Sequence, residues 1–357
     1  MTNAEKIQAA LREQGLDAIL LREEKNRRYA TDFHSSAGMV LITRSAAYFG
    51  TDSRYIEAAG DKLEGFEVFE TTAGKPERMW LTELLDAEGV KSLGFEENFL
   101  TVSAFRPLEE ALSGRAELVP AQGILQTLRA RKSAEELRRM AAAQRIAERA
   151  LDEVLALIRP GVRERDLAAE LTYRMARLGA EGNSFDPIVV AGARSSLPHG
   201  EPGDNAVRAG DFVTMDFGCV FEGYCSDMTR TVAVGSADGE MRRVYGVVLE
   251  AQRAGIAAAA PGVSGAAVDA AARRVIADAG YGDFFGHSFG HSLGLDIHES
   301  PNAAPSEKNP LPEGAVLSAE PGIYLPGRFG VRIEDVMVLR GDGAELLTKT
   351  PKDLLVL

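Results

Sequence analysis

Cysteine is almost missing from this chain. Cys219 and Cys225 are the two in 357 residues, which excludes a disulfide framework. They flank an expected tight turn, near enough to meet across it, and read as reduced core thiols of a cytoplasmic protein. Nowhere does an uninterrupted apolar run approach the ~18 residues of a membrane span. The opening MTNAEKIQAALREQG has helical periodicity, without the basic stretch and apolar run of a secretion signal. Basic charge is also short: 40 Lys and Arg stand against 53 Asp and Glu, a net charge of −13. With no basic stripe, neither nucleic acid nor an anionic membrane is expected as a partner. What is present, 45% hydrophobic and 26% charged residues, is the composition of an ordinary globular protein. A length of 357 residues favours two domains.

The first ~120 residues alternate short strands and helices. Met39–Thr43 and Ala46–Thr51 read as a hairpin about Arg44-Ser45. GFEVFET, a helix through Glu77–Glu88, KSLGFEE, a helix near Phe105–Leu112 and AELVPA follow. This is the pattern of a small α/β domain with a mixed sheet. Its one histidine, His34, lies in the loop TDFHSSAG. A long helical stretch begins near Leu125; Ser133-x-x-Glu136 is a capping box, and periodicity continues to Ile158 before Pro160-Gly161 stops it. The expected domains are 1–124 and 125–357.

The second domain contains an echo of itself. IRPGVRERDLAAELTYRMARLGAEG matches AAPGVSGAAVDAAARRVIADAGYGD: Pro160-Gly161-Val162 aligns with Pro261-Gly262-Val263 and Gly179 with Gly280, at a constant offset of 101. Each copy reads helix, Pro-Gly turn, helix, glycine stop, strand region. Two such halves predict a duplicated, pseudo-symmetric α/β layer rather than a solenoid, which needs more copies.

Five residues of this domain stand out because each sits in a stretch that otherwise reads as buried β structure: Asp216, Asp227, His291, Glu320 and Glu334. Carboxylates are rarely fully buried unless paired or bound to metal. Asp216 and Asp227 flank the hairpin signal Glu222-Gly223. With that loop, Asp216 pairs with Thr229 and Asp227 is its same-face diagonal neighbour; with the loop at Phe221-Glu222, the aspartates face each other. Either register puts both carboxylates on one face, ~5–8 Å apart at Cβ. Like charges so placed destabilise a sheet unless a cation sits between them. GHSFGHSLGLDIHE then brings three of the chain's five histidines within twelve residues, and its glycines argue against a helix. Glu320 lies in LSAEPGIYL and Glu334 in GVRIEDVMVL, where Arg332 shares the face of Glu334 in a strand and is placed to orient it. An oxygen-rich set with one nitrogen and no sulfur suits two Mn²⁺ ions, with Co²⁺ or Zn²⁺ as other candidates. Bridging carboxylates would hold the pair ~3.5–4 Å apart, with hydroxide between them as nucleophile.

In order and with their flanking words, notably HSLGLDIHESP and AEPGIY, these five residues resemble the metal ligands of the M24 pita-bread metallopeptidases. The resemblance spans the chain: NRRYATDF and GMVLITRSAAYF are similar to the creatinase-type N-terminal domain of the Xaa-Pro peptidases. It implies an α/β (α+β) fold with a creatinase-like first domain and a pita-bread catalytic domain of duplicated halves. It implies that Asp227, His291 and part of the two glutamates hold one metal, and that Asp216, Asp227 and Glu334 hold the other. Glu320 is implied as general base, His298 as the group that stabilises the tetrahedral intermediate, His199 as lining the site and His287 as part of the substrate pocket. A homodimer is implied as well.

The expected substrate is a small peptide with proline in second position. A dipeptidase must bind a free C-terminal carboxylate and exclude longer chains, whereas an aminopeptidase P leaves that side open. The dipeptidase is the favoured reading. The loop with Asp32 and His34, followed by Arg44, is the expected length-limiting cap, and Arg332, Asp32 and Arg44 are the candidate substrate contacts. A metal-free creatinase-like hydrolase or a binding module of the same fold would show losses among the five ligands, and the chain shows none.

Overall fold

The computed structural model describes residues 1–357. The chain forms two compact units, Met1–Arg129 and Ala130–Leu357. In the first, helices α1 (Asn3–Gln14), α2 (Glu24–Thr31), α3 (Ile56–Lys62), α4 (Glu77–Ala87), α5 (Val102–Leu112) and α6 (Gln122–Arg129) accompany six strands. These are β1 (Ala18–Leu21), β2 (Met39–Thr43), β3 (Ala47–Thr51), β4 (Glu67–Glu70), β5 (Ser92–Phe95) and β6 (Glu117–Pro120), in the order β4-β3-β2-β1-β5-β6. β1, β2 and β3 are buried along their whole length, so they read as continuous apolar runs without alternation. The hairpin turns at Arg44-Ser45, closed by Thr43 N–H on the Ala46 carbonyl.

The units divide after Arg129, five residues beyond the 124/125 boundary expected from sequence. The helix expected from Leu125 onward is two helices. In α6, Ile124 and Leu125 are buried, and Arg129 donates to Asn26 Oδ1 at 2.8 Å, which ties this helix to the first unit. A new helix starts at the Ser133/Glu136 capping box, which is formed reciprocally.

In the second unit α7 (Ala134–Leu155) and α8 (Glu164–Arg177) precede β7 (Gly182–Asn183), β8 (Ile188–Ala191), β9 (Phe212–Phe217), β10 (Cys219–Phe221), β11 (Tyr224–Cys225) and β12 (Met228–Ala233). After them, α9 (Gly239–Ala258) and α10 (Gly265–Asp278) precede β13 (Gly290–Ser292), β14 (Glu299–Ala303), β15 (Val316–Ala319), β16 (Gly322–Leu325), β17 (Phe329–Arg332), β18 (Asp335–Arg340) and β19 (Gly343–Leu346). The duplication is physical. α8 and α10 have equal length at the offset of 101. Both Pro-Gly turns put glycine at positive φ, +94° at Gly161 and +86° at Gly262. Each turn is clasped by a returning loop: Gly161 donates to the Val207 carbonyl and Val207 back to Val162, as Gly262 does to Leu311 and Leu311 to Val263. β8, β9 and β12 form one antiparallel layer, while β13, β15 and β18 lie at the heart of the other. Each half has its own apolar core between its helix pair and its strands.

The central hairpin uses the Glu222-Gly223 loop, with both residues at positive φ, 47° and 83°, as a two-residue primed turn requires. Phe221 pairs with Tyr224 and Asp216 with Thr229. Cys219 pairs across to Ser226, not to Cys225, so the two thiols turn to opposite faces: Cys219 Sγ lies on the Ala143 carbonyl and Cys225 Sγ on that of Leu295. Both cysteines are free.

Close backbone approach makes one glycine here irreplaceable. A Cβ on Gly218 would lie 2.0 Å from the Ser226 carbonyl oxygen, whereas one on the exposed helical Gly246 would meet nothing within 4 Å. Gly218→Ala should therefore destabilise the protein by roughly 1–3 kcal/mol. Gly246→Ala should stabilise it by roughly 0.5–1 kcal/mol. Denaturant unfolding of the two variants tests the opposite signs.

Candidate metal centre

The strands bring all five sequence-selected residues toward one place. Asp216 is on β9, Asp227 immediately precedes β12, His291 is the middle of β13, Glu320 follows β15 and Glu334 precedes β18. Parity does the gathering: Thr229 is opposite Asp216, and Asp227, two residues before Thr229, shares its face. In the other half the Glu320 N–H bonds the Phe289 carbonyl, and the Glu334 N–H crosses to the Thr229 carbonyl at 3.1 Å. Asp216, Asp227 and Glu334 are 8%, 3% and 1% exposed, so the buried-carboxylate expectation describes these three. Glu320 and His291 are more open, at 17% and 18% of their side chains.

Ligand atoms of Asp227, His291 and Glu334 all lie within 4.8 Å of one another. His291 Nε2 is 3.5 Å from Asp227 Oδ2 and 3.4 Å from Glu320 Oε1. Its Nδ1 lies 3.1 Å from the Ser292 carbonyl. A carbonyl only accepts, so Nδ1 carries a proton, and Nε2, which faces the carboxylates, is the nitrogen that would take a metal once its own proton is released. Asp216 Oδ1 and Asp227 Oδ1 are buried without any hydrogen-bond partner. Orphaned carboxylate oxygens inside a protein are costly, and a shared divalent cation supplies the missing charge and contacts. The residues present fit such a group.

Three partners orient the ligands. The Arg332 guanidinium donates to Asp216 Oδ2 at 2.5 Å, to Thr229 Oγ1 at 3.2 Å, to the Tyr324 hydroxyl at 2.8 Å and to the Pro198 carbonyl at 3.2 Å. It is aimed at Asp216 rather than at Glu334, because β17 ends at Arg332 and the chain turns before Glu334. Thr229 donates to Glu334 Oε2 at 2.8 Å. Ser318 donates to Glu320 Oε1 at 3.0 Å and accepts from the His291 N–H. Neither Thr229 nor Ser318 stood out in the sequence; their signal was the register, one facing Asp216 and the other two residues before Glu320. Gln144, on α7, was missed outright, and its Oε1 accepts from the Asp227 N–H at 3.4 Å.

His298 and His287 lie beside the same place. The His298 ring lies 4.4 Å from that of His291, centroid to centroid. His287 Nε2 is 2.8 Å from the Tyr324 hydroxyl and its Nδ1 is 2.9 Å from the Ser288 carbonyl. His199 is exposed, in the loop between Ala191 and Asn205. Burial lowers the His287 and His298 pKa values, and the neighbouring His291 lowers His298 further.

Asp32 and Arg44 lie on either side of β2 along the chain. Asp32 caps α2 in the left-handed region, at φ 52°, at the start of the loop before β2. Arg44 follows the far end of that five-residue strand, where its Nε donates to the Leu16 carbonyl and its guanidinium pairs with Asp17 at 3.3 Å. The loop that follows Asp32 enters β2 at one end and Arg44 leaves it at the other, a strand roughly 16 Å long. Arg44 thus clamps the turn beside Leu16 and Asp17. His34, in that loop, pairs with Glu24 at 3.4 Å.

A two-layer domain of duplicated halves with an all-carboxylate-and-histidine centre defines the class, a metal-dependent hydrolase of pita-bread architecture. The chain belongs to metallopeptidase family M24, whose family model matches residues 138–340, while residues 4–131 match the creatinase/prolidase N-terminal domain. A Pyrococcus horikoshii Xaa-Pro dipeptidase is 35% identical over 343 residues, covering 95% of each chain. A Bacillus anthracis Xaa-Pro dipeptidase structure superposes with a TM-score of 0.95 at 41% identity, covering 99% of each chain. An X-Pro aminopeptidase structure from Thermotoga maritima gives 0.92 at 38% identity, covering 98% of this chain and 100% of that one. No helix is long and apolar enough to cross a membrane.

Without a cation the cluster titrates in a defined direction. Burial first, then the neighbouring carboxylates, raise Asp216 and Glu334 and push Asp227 up to about 7. For His291 burial acts downward, but the Asp227 hydrogen bond and the Glu320 charge outweigh it and raise the imidazole to about 9. A carboxylate raised by folding loses its stabilising contribution as pH climbs from ~4 to its folded value, and a raised imidazole loses its own as pH climbs to its folded value. Both act the same way, so the melting temperature of chelator-stripped protein should fall between about pH 5 and about pH 8. Saturating divalent metal should flatten that fall and release protons on binding, seen as a buffer-dependent heat. A pH-independent melting temperature in the stripped protein would contradict the cluster.

Proposed function

We propose that the chain hydrolyses Xaa-Pro peptide bonds with two divalent ions, Mn²⁺ foremost, and that Xaa-Pro dipeptides are its preferred substrates. The observation that carries the reading is the convergence of Asp216, Asp227, His291, Glu320 and Glu334 with His298 beside them. Asp216, Asp227, His291, Glu320 and Glu334 would hold the ions. Bound there, the ions supply Lewis acidity and a water acidic enough to attack at neutral pH.

The chain's own groups manage the protons. Glu320, more open than the other carboxylates and steadied by Ser318, accepts the proton of the attacking water. Oxygen adds to the scissile carbonyl carbon, the C–N bond breaks, and the same proton passes to the proline nitrogen, which has no hydrogen of its own. His298, whose ring lies beside that of His291, donates a hydrogen bond from a ring N–H to the carbonyl oxygen as charge develops there. Relatives named Xaa-Pro dipeptidase, at 35% and 41% identity, support the dipeptide preference. The aminopeptidase reading is favoured by the X-Pro aminopeptidase structure at 38% identity.

A substrate-length series separates the two: Xaa-Pro should turn over faster than Xaa-Pro-Xaa, and equal turnover of tripeptides would sink the dipeptidase reading. Glu320→Gln should leave the circular dichroism unchanged and cost roughly 10²–10⁴-fold in kcat. Near-normal activity with full metal content would remove its role as base.

A further inference from the structure

In the second unit three histidines outside the ligand set, His199, His287 and His298, sit on loops, and each loop is fastened by a buried carboxylate that carries no assigned role. Glu164, at the first turn of α8, is fully buried. Its Oε1 accepts from the Ala191 N–H at 2.9 Å and Asn205 Nδ2 at 2.9 Å, its Oε2 from the Gly203 N–H at 3.1 Å, and Arg194 Nε reaches both oxygens. Four groups spanning 191–205 thus converge on one side chain, with His199 inside the span. Only a carboxylate offers that many acceptor positions at one point.

Asp269, on α10, does the same for the His287 loop. It accepts from the Phe289 N–H at 2.9 Å and holds Arg273 through two bonds of 2.8 Å. The fork of Arg273 then donates to the Phe285 carbonyl at 3.0 Å and to the carbonyl of His287 itself at 2.8 Å. Phe289 passes the restraint on, since its carbonyl accepts the Glu320 N–H. Glu299, next to His298, accepts from the Asp296 N–H at 3.1 Å and pairs with the buried Lys132 at 3.1 Å; Lys132 also reaches Ser292 Oγ, beside His291. Gly294 makes room for it, since a Cβ there would lie 2.8 Å from Glu299 Oε2.

Ion pairs with one or both partners buried, as here, add little net stability, because desolvation offsets their attraction. They do fix geometry, and a hydrogen-bond donor to a developing oxyanion loses its value when misplaced by ~1 Å. We infer that Glu164, Asp269 and Glu299 are positioning residues that aim His199, His287 and His298 through their loops; this rests on the hydrolytic function proposed above.

The experiment uses full-length, Mn²⁺-loaded protein and a Xaa-Pro dipeptide, with three pairs of variants: Glu164→Gln with His199→Ala, Asp269→Asn with His287→Ala, and Glu299→Gln with His298→Ala. Each carboxylate variant should keep its bound metal, lose kcat by roughly 10–100-fold, and speed amide exchange in its own loop. In the double variants the carboxylate change should cost nothing beyond the histidine change, because it acts through that histidine. Losses that multiply in the double variants, unchanged kcat, lost metal, or a variant recovered unfolded would each assign that carboxylate to general stability and overturn the inference for its loop. Wild-type protein inactive on Xaa-Pro peptides would instead sink the functional reading, leaving amide exchange in the metal-loaded variants to decide the loop anchoring by itself.

Discussion

The second unit is organised around a single electrostatic problem: several carboxylates share a dry space where the sheets of the two halves meet. One guanidinium, that of Arg332, lies among them, and it is committed to Asp216. Asp216 and Asp227 each keep an oxygen with no partner. The apolar cores on either side do not solve this; they enforce it, by holding the strands in a register that cannot spread the charges apart. Three carboxylates raised by burial in the metal-free state express the same strain as proton affinity.

The surrounding structure reads as a response to that demand. Thr229 links Arg332 to Glu334, Ser318 links His291 to Glu320, and Arg230 clasps the backbone outside, donating to the carbonyls of both Thr229 and Glu334 while pairing with Asp335. The open side belongs to the histidines. Polar rigidity and a half-open face are what a site needs when it must hold charge still yet admit a peptide.

Much of this was legible in the chain because it follows from short periods. The Glu222-Gly223 turn and strand parity placed Asp216 and Asp227 on one face, and the shared Pro-Gly-Val turn revealed the duplication. Helix punctuation was legible only where caps are strong: Ser133 and Glu136 marked the start of α7, while the break after α6 went unseen. What stayed hidden depends on contacts between distant segments. Nothing local says that Arg332 turns to Asp216, 116 residues away, rather than to Glu334. Nothing local says either that Arg44 bonds the Leu16 carbonyl and Asp17, just before the chain's first strand.

The duplicated halves divide the ligands unequally, two aspartates in the first and a histidine with two glutamates in the second. Chains emerge from synthesis N-terminus first, and their leading parts begin to fold before the rest exists. Asp216 and Asp227 are therefore made, and can enter a forming sheet, long before His291, Glu320 and Glu334 appear. Until then the hairpin between β9 and β12 carries two like charges with no Arg332 to meet them. Neither half alone holds the full ligand set, so the centre is complete only when both are present.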